Sequence, residues 1–157
     1  MIEVRLNLGD LFITSRRDVV LTCLGLGSCI GLFMQDRTAR ISGGAHILLP
    51  ERSTTNQDGR GFYDAAAAIA EMLRQFATKG STLANIRAKF AGGANVLATS
   101  MQVGLQNQQM VTHLLQRERI FIAGTDIGGG YCRSVRFDSE TGDMKVKIPL
   151  TNEIRTL

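Results

Sequence analysis

The 157-residue chain is 44% hydrophobic and 20% charged, with 18 basic against 14 acidic side chains and a formal net charge of +4. That composition excludes a disordered chain, and the length is that of one ordinary domain able to bury a substantial core. There is no Lys/Arg run for a nucleic-acid stripe, no apolar stretch near the ~20 residues that span a bilayer, and no signal-peptide zoning in MIEVRLNLGD. The expectation is a soluble, cytoplasmic single domain over residues 1–157, with no nucleic-acid binding and no membrane insertion.

In chain order, Ile2, Val4 and Leu6 alternate with Glu3, Arg5 and Asn7, the period of a half-buried strand. Residues 19–23, Val-Val-Leu-Thr-Cys, form a compact β-branched run that reads as a more buried strand. Leu24-Gly25-Leu26-Gly27-Ser28-Cys29 follows, and its glycines predict a sharp bend leading into Cys29. Residues 30–34 and 40–49 read as two strands around a turn at Asp36-Arg37, with Pro50 ending the second. Residues 51–60 are polar and predict an exposed, mobile loop bordering a cleft. Phe62, Ala65, Ala66, Ile69, Met72, Leu73 and Phe76 recur at helical spacing up to Gly80. A strand at residues 86–91 runs into Gly92-Gly93, and a second helix is expected over 107–117 with Asn107 as its N-cap. Further strands are expected at 120–123, 133–137 and 144–149, the last two joined by a hairpin over 138–143. Many strands with two main helices, and no strict β-α alternation, indicate an α+β domain.

The three cysteines, Cys23, Cys29 and Cys132, include no C-x-x-C pair, which argues against a disulfide framework and a structural zinc site. No metal ligand set is expected, and Cys132 reads by default as core packing. Cys29 carries the chemistry. A bend before a strand leaves backbone N–H groups near the sulfur, so those of Ser28 and Cys29 are candidates for an oxyanion hole. A thiol near pKa ~8.5 needs a base, and His46, in Gly44-Ala-His46-Ile-Leu-Leu-Pro50, lies on the next long strand. A hairpin centred between residues 37 and 38 sets Cys29 directly opposite His46. His113, mid-helix beside no cysteine or carboxylate, reads as structural or surface. The glycine clusters 92–93 and 128–130 read as tight backbone crossings beside the site; Ile30 breaks the dinucleotide fingerprint, and no P-loop is present.

Leu24-Gly-Leu-Gly-Ser-Cys29 and Gly44-Ala-His46-Ile-Leu-Leu-Pro50 resemble the signature of the chemoreceptor glutamine deamidase CheD family. Lys89-Phe-Ala-Gly-Gly-Ala-Asn95, Gly104-Leu-Gln-Asn107, Asp126-Ile-Gly-Gly-Gly-Tyr131 and Arg136-Phe-Asp-Ser-Glu-Thr-Gly142 extend the resemblance over nearly the whole chain. It implies hydrolysis of chosen glutamine side chains in chemoreceptors to glutamate and ammonia, a protein-glutamine glutaminase activity. It implies Cys29 as nucleophile, His46 as its base, no cofactor, and chemoreceptor cytoplasmic helices as partners. It also implies a fold like the catalytic domain of glutamine-deamidating toxins: mixed β-sheets packed as a sandwich-like core with two main helices outside. The family's third residue, a threonine six positions before the cysteine, is Cys23 here, and Thr22 precedes it. Three orienters of the histidine are then open: Cys23 facing the site, which the strand register implied by the resemblance favours; Thr22 turned in by a bulge; or a backbone carbonyl or water. Two other readings compete: a regulatory module docking on the CheC phosphatase, and a thiol redox sensor built on Cys23 and Cys29.

Overall fold

The computed structural model describes residues 1–51, 61–97 and 102–157. Among these the chain forms β1 (Ile2–Arg5), β2 (Leu11–Thr14), β3 (Val19–Leu26), β4 (Ile30–Asp36), β5 (Ile41–Ile47), α1 (Ala65–Thr78), a 3₁₀ turn (Leu83–Asn85) and β6 (Ile86–Gly92). It continues with α2 (Val103–Arg117), β7 (Phe121–Ile127), β8 (Arg133–Asp138), β9 (Met144–Ile148) and β10 (Glu153–Thr156). The fold is α+β, as the sequence indicates. The strands divide into two five-stranded mixed sheets, ordered β1-β3-β8-β9-β10 and β2-β5-β4-β6-β7. Each contains one parallel pair, β1 with β3 and β6 with β7, and its other pairs are antiparallel.

Burial explains the layering. Every residue of β4 and β5 is buried, because the second sheet is covered on both faces. Ile30, Leu32 and Met34 point to one side and pack with Ile69, Met72, Phe76, Val111 and Leu115 of the two helices. Phe33 points to the other side and packs with Leu21, Val135, Phe137 and Val146 of the first sheet. There the Phe33 and Phe137 rings stack, their centroids 5.1 Å apart. The order of layers is therefore sheet, sheet, helices, with both helices on the outer face of the second sheet.

Helix α1 begins where Asp64 caps it, its carboxylate accepting from the Ala67 N–H at 2.7 Å. Helix α2 departs from expectation: it starts at Val103 rather than at Asn107, which is no N-cap but a fully buried residue inside the helix. Gly104 permits this start, since a Cβ there would lie 2.2 Å from the Ala94 carbonyl oxygen. Strands β2 and β10 were not expected from sequence, and β7 runs four residues past its expected end, to Ile127. The expected loop at 51–60 falls, except for Glu51, outside the described residues.

One buried ion pair fastens the two sheets at the end where β3 turns into β4. Arg133, 1% exposed at the start of β8 and paired in register with Leu26, donates from Nε to Asp126 of β7 at 2.7 Å. Arg155 reaches the other oxygen of Asp126 at 3.1 Å.

Candidate active site

Strand β3 shifts register between Cys23 and Leu26, and residues 27–29 then bend the chain into β4. Three successive carbonyls of this bend are held. That of Gly27 accepts from Ala94 N–H at 2.9 Å, that of Ser28 from Asn107 Nδ2 at 2.8 Å, and that of Cys29 from Gly93 N–H at 2.8 Å. The last contact needs Gly92, because a Cβ there would sit 2.1 Å from the Cys29 oxygen. The N–H groups of Ser28 and Cys29 meet no acceptor among the described residues. Gly128 N–H bonds the Gly92 carbonyl and Asn95 N–H bonds that of Gly129, so both glycine clusters are backbone crossings around the bend, as expected from sequence.

His46 lies on β5 opposite Gly31, not opposite Cys29. The β4–β5 hairpin closes with Asp36 facing Ile41, so its centre falls between residues 38 and 39, one position later than the sequence arithmetic places it. A one-residue displacement of the centre moves the partner by two, and two residues along a strand preserve the face. Cys29 lies in the bend just before β4, two residues before Gly31, and packs against the cluster between the sheets. It is thus offset from the position directly opposite His46. Among the described residues no hydrogen bond joins Cys29 to the ring.

The ring is oriented by the main chain. Nδ1 of His46 lies 2.8 Å from the carbonyl oxygen of Leu6. A carbonyl only accepts, so Nδ1 carries the proton and Nε2 is the basic nitrogen of the neutral ring. Leu6 is itself fixed by donating its N–H to the Thr22 carbonyl at 2.8 Å. The turn joining β1 to β2 grips the histidine backbone as well: Gly9 N–H bonds its carbonyl at 3.0 Å, and its N–H bonds the Asp10 carbonyl at 3.1 Å.

Neither side chain considered for this orienting part makes the hydrogen bond. Cys23 does face the space between the sheets, its sulfur 3.1 Å from where a Gly31 Cβ would stand. Burial pushes its thiol up to about 12, with Cys29 and Asp10 nearby adding to the effect, so it rests as a neutral, weak donor. Thr22 points the opposite way, flanked in register by Arg5 and Arg136, and its buried hydroxyl has no partner among the described residues. The ring's partner is instead the backbone carbonyl, the third of the three possibilities.

Burial also raises the Cys29 thiol above its ordinary value. Cys132 is not core: it is exposed and lines a groove of about 420 Å³ with Gly27, Ser28, Asn95, Val96 and Leu97. His113 is exposed on α2, in keeping with its surface reading. Among the described residues no group of three His, Cys, Asp or Glu side chains is placed to hold a metal. Sequence reasoning missed two contributors. The Leu6 carbonyl leaves no mark in a sequence, and Asn107 stands out there as a helix cap and in the Gly104-Leu-Gln-Asn107 element, with nothing to tie it to the bend.

The fold and site together define an α+β protein in which a thiol and an imidazole face the space between two mixed sheets. The family model described as CheD chemotactic sensory transduction matches residues 48–148. A protein of Clostridium botulinum (strain Eklund 17B / Type B) named "Probable chemoreceptor glutamine deamidase CheD" is 33% identical over 151 residues, covering 93% of each chain. A protein of the same name from Syntrophomonas wolfei is 32% identical over 149 residues, covering 92% of each. The chain belongs to the CheD family. Among solved structures, the Bacillus licheniformis hypothetical protein YfiH superposes on 76% of this chain with a TM-score of 0.46 and 16% identity. The chain spans about half the length of that protein, covering 49% of it, and a likeness so loose assigns no residue. No helix of the described residues is long and apolar enough to cross a membrane.

Proposed function

We propose that this protein is a cytoplasmic deamidase of chemoreceptors, hydrolysing glutamine side chains on their cytoplasmic helices to glutamate and ammonia with Cys29 as nucleophile. Relatives carrying the printed name of chemoreceptor glutamine deamidase support the substrate class. The observation that carries the mechanism is the Leu6 carbonyl on His46 Nδ1, which leaves Nε2 as a base on the face that Cys29 also occupies.

In this reading Nε2 takes the Cys29 proton as sulfur attacks the carboxamide carbon. The carbonyl oxygen becomes an oxyanion held by the N–H groups of Ser28 and Cys29, which the bend leaves without acceptors among the described residues. The C–N bond breaks as the imidazolium returns its proton to nitrogen, and ammonia departs from an acyl-thioester. Water then attacks, losing a proton to Nε2; the C–S bond breaks and the thiol is restored. The net change adds one water and releases one ammonia, with no electron transfer and no cofactor. The groove beside Ser28, with Val96 and Leu97 exposed on its wall, is where the substrate chain lies in this reading.

Mass spectrometry of receptor cytoplasmic fragments before and after incubation tests it. A gain of about one dalton at particular glutamines is expected. Unchanged fragments would favour the competing reading of a module that docks on the CheC phosphatase.

A further inference from the structure

We propose that Asn107 is the positioning residue of the oxyanion hole, fixing the direction of the Cys29 N–H through the peptide group that precedes it; this rests on the deamidase reading above. The peptide bond between Ser28 and Cys29 is trans, so its C=O and N–H point in opposite directions. Whatever holds the Ser28 carbonyl therefore aims the Cys29 N–H. That holder is the Asn107 amide, which donates to the Ser28 oxygen at 2.8 Å. Its second N–H donates to the Leu48 carbonyl at 2.9 Å, two residues beyond His46. One planar amide thus bridges the nucleophile bend and the strand end that carries the base, at the point where β4 and β5 part.

Three further features set this side chain apart from ordinary core packing. Asn107 is fully buried, yet its Oδ1 has no partner among the described residues, an arrangement that costs stability. A leucine of similar size would avoid that cost, so the amide is held in place by what its nitrogen does. The close seating of Gly104 against Ala94 brings α2 near enough for the reach. The neighbouring peptide is treated alike: Ala94 N–H holds the Gly27 carbonyl at 2.9 Å and so aims the Ser28 N–H. With both carbonyls tied back, neither peptide can flip, and the two donors stand ready before substrate arrives.

The test compares two reactions of the same sulfur. Deamidation passes through an oxyanion, whereas alkylation by iodoacetamide displaces iodide and forms none. Asn107→Ala should lower kcat for receptor deamidation by about 10²–10³-fold, the scale set by loss of one oxyanion donor. KM should change little, and the alkylation rate of Cys29 at pH 7 should stay within about twofold of the parent. Should Asn107→Ala lose its melting transition, Asn107→Leu keeps the volume, removes the unpartnered oxygen and is read by the same two assays. Near-normal kcat in a folded variant overturns the proposal. A parallel fall of kcat and alkylation also overturns it, since Asn107 would then be placing the thiol rather than the donors. A parent protein that alkylates at Cys29 but never deamidates a receptor fragment overturns the deamidase reading itself.

Discussion

Because burial raises the Cys29 thiol above the ordinary cysteine range, the sulfur rests protonated at neutral pH and depends on His46 at the moment of attack. Cys29→Ala should abolish deamidation with little change in thermal melting, while Cys132→Ala, on the groove wall but away from the ring, should keep kcat near the parent value and change at most KM; the mass-spectrometric assay reads both. His46→Asn should slow deamidation by about 10²–10⁴-fold. In that variant the alkylation rate should climb with pH to a midpoint above the usual thiol value of ~8.5, because a raised pKa delays thiolate formation. The parent should react faster than the variant at pH 7. Rates that coincide across the pH range would mean the imidazole does not assist the sulfur. Thr22 offers a contrast: its hydroxyl is buried with no partner among the described residues and faces away from the ring. Thr22→Val should leave turnover unchanged and be neutral to stabilising by up to ~1 kcal/mol in denaturant unfolding. A large loss of turnover would restore Thr22 to the site.

At the level of elements, what a sequence reveals follows from how each element is held. Strand β4 and helix α1 bury long apolar stretches, so their pattern is plain in Ile30–Met34 and in the spacing of Ile69, Met72 and Phe76. Strands β2 and β10 have four residues each and lie at sheet edges, where main-chain pairing rather than side-chain pattern makes the strand. The start of α2 is obscured because its cap, Gln102, makes no side-chain capping bond among the described residues, whereas Asn107 has the side chain a cap would use. The hairpin turn was readable to within one position. The period of two then keeps His46 on the expected face despite the different partner. Asp64 of α1 is the cap that can be measured: Asp64→Ala should cost about 1 kcal/mol in urea unfolding. A change below about 0.3 kcal/mol would mean the carboxylate adds nothing beyond the backbone bonds around it.

At the scale of the whole molecule, the two sheets are joined by the Phe33–Phe137 stack and by the Arg133–Asp126 pair. Asp126→Ala leaves the fully buried Arg133 guanidinium without its counter-charge and should destabilise by about 3–5 kcal/mol, seen as a lower melting temperature. Lost activity should follow the melt rather than precede it, because Arg133 touches no group of the proposed chemistry. The ties that hold the site itself come from three separate parts of the chain, namely Leu6, Gly9 and Asp10 between β1 and β2, Gly93 and Ala94 after β6, and Asn107 on α2. All but Asn107 act through main-chain atoms, although Gly9 and Gly93 hold a positive φ that other L-residues rarely adopt. Point mutation exchanges side chains and leaves carbonyls where the fold put them. Descendants of this chain can therefore exchange the side chain at position 6 and keep the imidazole's partner, whereas Gly92, Gly93 and Gly104 leave no room for a Cβ, so the heritable specification of this centre is shared between the topology and a few small letters.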